Sequence, residues 1–598
     1  MVGRPYDCLS NPLGAVRLTF DKAVASGSDP DTFAGRDWGA TELFRQFLFD
    51  DGGVSEVPVL NTQTIKLIKP NTLVRFRGMI QDMLGNEFYA GAYKDGDTWR
   101  TNKFADISQF PMGDTPEMRV WERRLLYCVP VPGQNPWTEV SEPCEVLRDP
   151  ITCSTYTCLQ REKRQREDDP IMGDVNMEAL DELHGSPSAK KMREDIIAFT
   201  SRDSRESLET AMHTSMDTTA ACERICPCLV KIYDSPESDL KLNDVFEFIG
   251  VLTYDIDSPK EKEENYVESS LYEDELFESP PSKVPRLHCI IYQKLGAQDF
   301  LSNLSMAELK TDMVKGMRET LLGHLTSILG NDRVAAEFML LHLLSRIHGR
   351  VDSIAVGKLS LNLTCFSNET ASVFAPGLNQ AIKNLLPFSH SIPLTVDYLN
   401  TTPLAPRKDY QTNRLITGVL QLADGTHVTI DETQLKPGNL NSTGINNTRL
   451  LKSLLDLQKV EYDFTYYKME MPTDVQLLII SEGKSNILPA DIVLPFRPCS
   501  ITPHKDIKAS TLNAWRWYLS TMRLLSHSIS PDMQKVLEDD LVAARQADRS
   551  MGSQEFSRLL TLARLVSLSF GESSLSIEHW QMVNELETLR KERLNALV

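Results

Sequence analysis

The stretch GTHVTIDETQ, residues 425–434, sets two carboxylates side by side, Asp431 and Glu432, at the end of a short β-prone run. An acidic pair in that position is what a nucleotide hydrolase uses to hold a magnesium ion and orient an attacking water. That chemistry also needs a phosphate cradle, G-x-x-x-x-G-K-[ST], between an upstream strand and its helix, so that backbone amides and a lysine can meet the phosphates. Upstream, the strand-like KLSLNLTCF runs into FSNETASVF, which holds neither glycine nor lysine and carries Glu369, whose charge repels phosphate. Gly483-Lys484-Ser485 imitates the end of the motif, but Leu478 stands where its first glycine belongs, and the segment follows the acidic pair instead of preceding it. These residues predict a degenerate look-alike of the magnesium strand: Asp431 and Glu432 cap their own turn, with no catalytic residues and no nucleotide cofactor.

Other chemistry-bearing groups are weaker signals. Cys222, Cys226 and Cys228 lie in CERICPC. A C-x₃-C-x-C run without a second pair falls short of the four ligands a structural zinc site takes, so no metal is expected there. Lys163-Arg164 and Lys190-Lys191 lie in mixed-charge stretches and are a candidate nuclear import signal, balanced by the reading that they solvate a linker. Ser279, before Pro280, is a candidate phosphosite. The histidines form no H-E-x-x-H or similar pattern.

The elements that must position these groups follow from pattern. A formal charge of −20 argues against a broad nucleic-acid surface, which needs clustered lysine and arginine. The 11 cysteines, irregularly spaced and without a secretory signal, read as reduced thiols. No apolar run is long enough to span a membrane. Residues 1–58 predict a helical adaptor. Residues 59–300 predict an OB-like small β-barrel, interrupted by flexible polar insertions at 141–219 and 255–283. In it, LVRFRGMIQDM and EFYAGAYK are expected to form a hairpin. Residues 301–505 alternate strands and helices and predict an α/β layer with a mostly parallel sheet; HSIPLTVDYL reads as a strand and TNRLITGVLQL as a helix. Residues 506–598 predict four helices, one starting with Ser530 as N-cap and Pro531 at the first helical position. Lys66, Lys69, Arg75 and Arg77 in KLIKPNTLVRFRG leave open a single-strand-binding barrel, which would also need stacking aromatics.

The order barrel, linking helices, α/β domain, helical lid resembles the minichromosome maintenance (MCM) helicase subunits. SILGNDRVAAEFMLLHLL is similar to the helix before their ATPase sheet. FSRLLTLARLVSLSFGESSLSIEHW is similar to their lid. That resemblance implies a degenerate AAA+-like domain without a phosphate loop. A closer resemblance is to the MCM complex-binding protein family, carried by CLSNPLGAV, FRGMIQDMLGNEFY, YCVPVPG, VPRLHCIIYQKL, KDYQTNRLITGVLQL and QKVEYDFTYYKMEMP. It implies a nuclear, non-enzymatic partner of MCM helicase subunits that takes one subunit's place. Such a partner acts in complex stability and in removal from chromatin during replication, has a link to sister-chromatid cohesion, and meets nucleic acid only indirectly.

Overall fold

In the computed structural model the described residues are 7–33, 36–106, 117–139, 226–234, 239–254, 284–301, 311–500, 507–547 and 552–596. The candidate residues Cys222, Lys163, Arg164, Lys190, Lys191 and Ser279 lie outside them.

The expected hairpin after residue 73 is instead one long strand, β1 (Leu73–Asp95). Gly85 does not turn the chain. It takes φ 92°, a conformation open to glycine, and shifts the register between Met83 and Gly85, so the strand bulges and continues. The other strands of this sheet are β2 (Thr98–Thr101), β3 (Met118–Val129), β4 (Cys228–Ile232), β5 (Val245–Thr253) and β6 (Arg286–Lys294). Leu73–Met79 pair antiparallel with β5, and the rest of β1 pairs with β3. The order β1-β3-β4-β6-β5 then returns to β1, closing a ring, with β2 appended to the far end of β1. Alternation sets the two faces. Val74, Phe76 and Ile80 join Leu126, Val230, Phe248 and Leu287 inside the ring. Leu73 on the opposite face meets Phe44, Leu48 and Val57 of the N-terminal segment. That segment holds α1 (Pro12–Ala25), capped by the Asn11 side chain, and the short α2 (Ala40–Arg45).

Beyond the ring, α3 (Thr311–Ile328) and α4 (Arg333–Leu344) lead through a hairpin, β7 (Gly349–Val351) and β8 (Ile354–Val356), into a parallel sheet. Its strands are β9 (Leu361–Thr364), β10 (Ser389–Pro393), β13 (His427–Asp431), β16 (Gln476–Ile480) and β17 (Ile492–Pro495), in the order β10-β13-β16-β9-β17. Helix α5 (Asn368–Leu385) follows β9. HSIPLTVDYL divides: β10 ends at Pro393, and α6 (Val396–Thr401) begins where Thr395 accepts the Tyr398 N–H. The helix expected in TNRLITGVLQL is not formed. Arg414–Ile416 is β12, paired with β11 (Arg407–Asp409). Tertiary partners override its helical pattern: the Leu415 N–H donates to Asp82 on β1 at 2.7 Å, and the Arg414 guanidinium lies 4.1 Å from the Tyr127 ring on β3. Helix α7 (Ser442–Leu457) stops at Gln458, φ 52°, and the chain returns as the hairpin β14 (Lys459–Asp463) and β15 (Lys468–Pro472).

The C-terminal region forms four helices, α8 (Ala509–Leu524), α9 (Pro531–Ala547), α10 (Ser553–Ser569) and α11 (Ile577–Asn595). The Ser530 hydroxyl accepts the Met533 N–H at 3.3 Å, as the N-cap reading requires. These helices share one apolar cluster with α3, α4, β9 and β17. Arg318 of α3, fully buried, ties them together through Ser569 and Glu337. The ring and the parallel sheet also meet: Gln421 donates to Gln81 O, Asn243 to Tyr462, and Asn135 to Leu386 O. The result is a mixed α+β chain with several sheets. Among the described residues no helix is long and apolar enough to cross a membrane.

Candidate functional site

Open parallel sheets bind ligands outside the carboxyl ends of their strands. Here that edge brings together the segments after β9, β13 and β16, so the look-alike residues of the sequence do converge in space. Their bonding is turned inward.

After β9, the N–H groups of Cys365 and Phe366 stand where a phosphate cradle would need free donors. They donate to Glu482 O at 2.9 Å and Ser481 O at 3.1 Å, which ties the loop to the segment after β16. The Phe366 ring is buried and stacks on Phe496, centroids 4.5 Å apart, filling the space under the loop. The N-terminus of α5 is capped by Ser367, which accepts the Thr370 N–H. Glu369, in the first turn, is exposed. Buried Asn362 adds a further tie, donating to Ser481 Oγ at 2.7 Å.

Asp431 and Glu432 are both half-buried. Asp431 Oδ1 accepts the Thr433 N–H at 2.9 Å and the Thr433 hydroxyl at 2.6 Å, an Asx turn that caps the strand end. Glu432 Oε1 accepts the Ser485 hydroxyl at 2.7 Å. Burial pushes the Glu432 carboxyl up, and the Ser485 bond partly offsets it. Ser485 Oγ in turn accepts the Leu488 N–H at 2.9 Å. The segment that imitates a phosphate loop is thus a turn that clamps the second carboxylate, with Lys484 exposed to solvent. Ser485→Ala is expected to leave Glu432 and the Leu488 amide without this partner and to cost about 1–3 kcal/mol; denaturant unfolding measures it.

Cys226 and Cys228 are buried thiols at the ring. Cys228 sits opposite Cys128 in the register of β3 and β4. Burial pushes the Cys226 thiol up to about 11 and the Cys228 thiol well above its ordinary value. That favours protonated, packing thiols over metal-ligating thiolates. Among the described residues no group of three or more His, Cys, Asp or Glu side chains could hold a metal ion.

A charged network escaped sequence reasoning altogether. Asp106 accepts from Arg123 at 2.9 Å and Lys231 at 2.7 Å, and lies 3.2 Å from His288. Burial opposes ionisation of Asp106, but the hydrogen bonds of His288 and Lys231 and the Lys231 charge hold its carboxyl well below the usual range. Tyr233 lies 2.6 Å from His288 Nδ1, and Arg123 also reaches Glu87 at 2.7 Å. Beside it, buried Lys103 pairs with Asp234 and lies 4.8 Å from the Trp38 ring, linking the N-terminal segment to the ring. These residues are spread from 38 to 288 without any motif spacing. Only the charge of single strand residues such as Lys231, in an otherwise buried run, hinted at partners.

The comparisons with known proteins match this chain along nearly its whole length. The family described as mini-chromosome maintenance replisome factor matches residues 44–594. The mini-chromosome maintenance complex-binding protein of Arabidopsis thaliana is 54% identical, over 99% of this chain and 100% of the relative. The proteins of that name from Gallus gallus and Homo sapiens are 34% and 33% identical, each over 98% of both chains. The segments that clamp Glu432 and consume the amides after β9 fall inside the matched residues. On this full-length similarity, the chain belongs to the mini-chromosome maintenance complex-binding protein family.

Proposed function

We propose that this chain is a non-enzymatic nuclear partner of MCM helicase subunits, regulating assembly and stability of the MCM complex and its unloading from chromatin during replication. The observation that carries the reading is the carboxyl edge of the parallel sheet. The amides after β9 donate to the neighbouring loop, and Glu432 is bonded to Ser485, so the groups a nucleotide would use are already committed to the chain itself. The closed ring of five strands supports the OB-like reading. The parallel sheet, with helices before it and four after, supports the AAA+-like reading with its lid. A chain with a subunit's layout and no ATP site can compete for a subunit's neighbours without completing their chemistry, which is specificity by surface mimicry. The names of the relatives support MCM complexes as the partner class. The link to sister-chromatid cohesion and the indirect association with chromatin rest on the family resemblance.

The test is a pull-down from nuclear extract with the full chain, with and without ATP, identifying partners by mass. MCM subunits are expected in both conditions. Capture only with ATP, or magnesium-dependent ATP turnover abolished by Glu432→Gln, would refute the non-enzymatic reading. Recovery of no MCM subunit by the folded chain would refute the partner. Salt-sensitive binding of single-stranded DNA by the full chain would favour the nucleic-acid alternative, to which the −20 charge is unfavourable.

A further inference from the structure

At the opposite, amino-terminal edge of the parallel sheet lies a cluster of cations with little to balance it. Arg523, in the last turn of α8, is 8% exposed. Its guanidinium makes no hydrogen bond or ion pair among the described residues. It points at the turn before β13, where a β-carbon on Gly425 would stand 3.9 Å from its Nη2. Arg346 and His348 come from the segment between α4 and β7, Arg564 from α10, and His527 from the segment between α8 and α9. Among the described residues Arg346 bonds only its neighbour's carbonyl, Ile347 O, at 3.5 Å. Arg564 Nη1 and His527 Nε2 are shielded from solvent and have no hydrogen-bond partner among the described residues.

The charges that act on this cluster come mainly from itself. Burial lowers the proton affinity of Arg564, and Arg346 lowers it further. Burial does the same to Arg523, where Asp474 opposes and Arg346 adds to the effect. His527 is lowered to about 4 by burial, then by Arg564 and His348. Asp474 is itself engaged, accepting the Ile347 N–H at 3.1 Å, while its own N–H donates to Asp424. Buried cations without partners cost free energy, and proteins retain such costs where a ligand is to be met.

We propose that Arg346, Arg523 and Arg564, with His348 and His527 at the mouth, form a binding site for an oxyanion of the phosphate class. Three guanidinium charges less those of Asp474 and of Asp424, which accepts the Asp474 N–H, leave a surplus of one. That surplus has the sign a phosphate monoester, about −1.5 to −2 near neutral pH, requires. Guanidinium forks meet phosphate oxygens in bidentate geometry. His348 is exposed and Arg346, Arg564 and His527 are half-buried, so the cluster opens to solvent. It is separate from the Asp431–Glu432 edge and does not depend on the function proposed above.

The experiment measures melting temperature and calorimetric binding of the full chain with inorganic phosphate, with O-phosphoserine, and with sodium chloride at matched ionic strength. A saturable rise with phosphate or O-phosphoserine, absent with chloride, is expected. Arg523→Met and Arg564→Gln are each expected to weaken binding roughly tenfold or more, while the unliganded melting temperature holds or rises as repulsion is removed. Tighter binding of O-phosphoserine would support a phosphorylated side chain as the source, and tighter binding of inorganic phosphate a free ion. No rise beyond the chloride control, or undiminished affinity in both variants, would overturn the site. If Arg523→Met does not fold, Arg564→Gln alone decides.

Discussion

Asp106→Ala is expected to destabilise the folded chain by about 3–5 kcal/mol, the cost of breaking a buried pair and leaving its cations behind. The carboxylate is the acceptor shared by Arg123 and Lys231, whose side chains are 6% and 3% exposed. Glu87 lies 3.5 Å from Lys231 and 2.7 Å from Arg123, but it is more exposed and cannot take both loads. Asp106→Asn keeps the shape and loses the charge, so it is expected to fall between wild type and alanine. Urea unfolding of the three proteins gives the order. A loss under about 1 kcal/mol for alanine, the value of a surface pair, would show that the network is solvated and unimportant. The site also matters for architecture, because β3, β4 and β6 all contribute cations to it.

Acidification is expected to produce the second large effect. His342 on α4 and His427 on β13 are fully buried, with their Nε2 atoms 3.0 Å apart. His342 Nδ1 lies 2.8 Å from Leu359 O, so it carries the proton there. His342 Nε2 is then the acceptor, and His427 donates from Nε2. Burial lowers His342 from 6.5 to about 4, and burial together with the His342 charge lowers His427 well below its ordinary value. The unfolded chain therefore binds more protons than the folded one once the pH falls below about 6.5. Stability is fully present above that pH and is lost progressively as the pH falls toward 4, by an amount on the order of 3 kcal/mol for His342 alone. Buried neutral His288, lowered to about 4 by burial against the pull of Asp106, adds in the same direction. The check is urea unfolding at pH 7.5 and pH 4.5 for wild type and for the His342→Leu/His427→Leu double variant. An equal pH dependence in both would show that the pair does not carry the effect.

The parts of this fold that read directly from the sequence are the local ones. Ser530 with Pro531 marks a helix start, because a cap satisfies amides within one turn. Val74 and Phe76 mark a strand, because alternate side chains share a face. Where a local pattern competed with distant partners it misled. TNRLITGVLQL has helical spacing, yet Asp82 and Tyr127, more than 280 residues upstream, hold it as strand β12. The break in apolar pattern around Gly85 reads as a turn, yet β3 pairs across it and keeps β1 extended. At the candidate site the types of residue were legible and their bonding was not.

By itself, the sequence determined that FSNETASVF, at the end of KLSLNLTCF, holds no glycine and no lysine, and it carried the long segments by which the family is recognised. Those are statements about which atoms exist. The tertiary structure alone decided what those atoms are bonded to. It directed the Cys365 and Phe366 amides to the loop after β16, placed the Ser485 hydroxyl on Glu432, assembled Arg123, Lys231 and His288 around Asp106, and left Arg523 buried without a hydrogen-bond partner among the described residues. The physical reason is range. Capping and periodicity act over three or four residues, whereas hydrogen bonds and charges act across space between segments that chain order keeps apart.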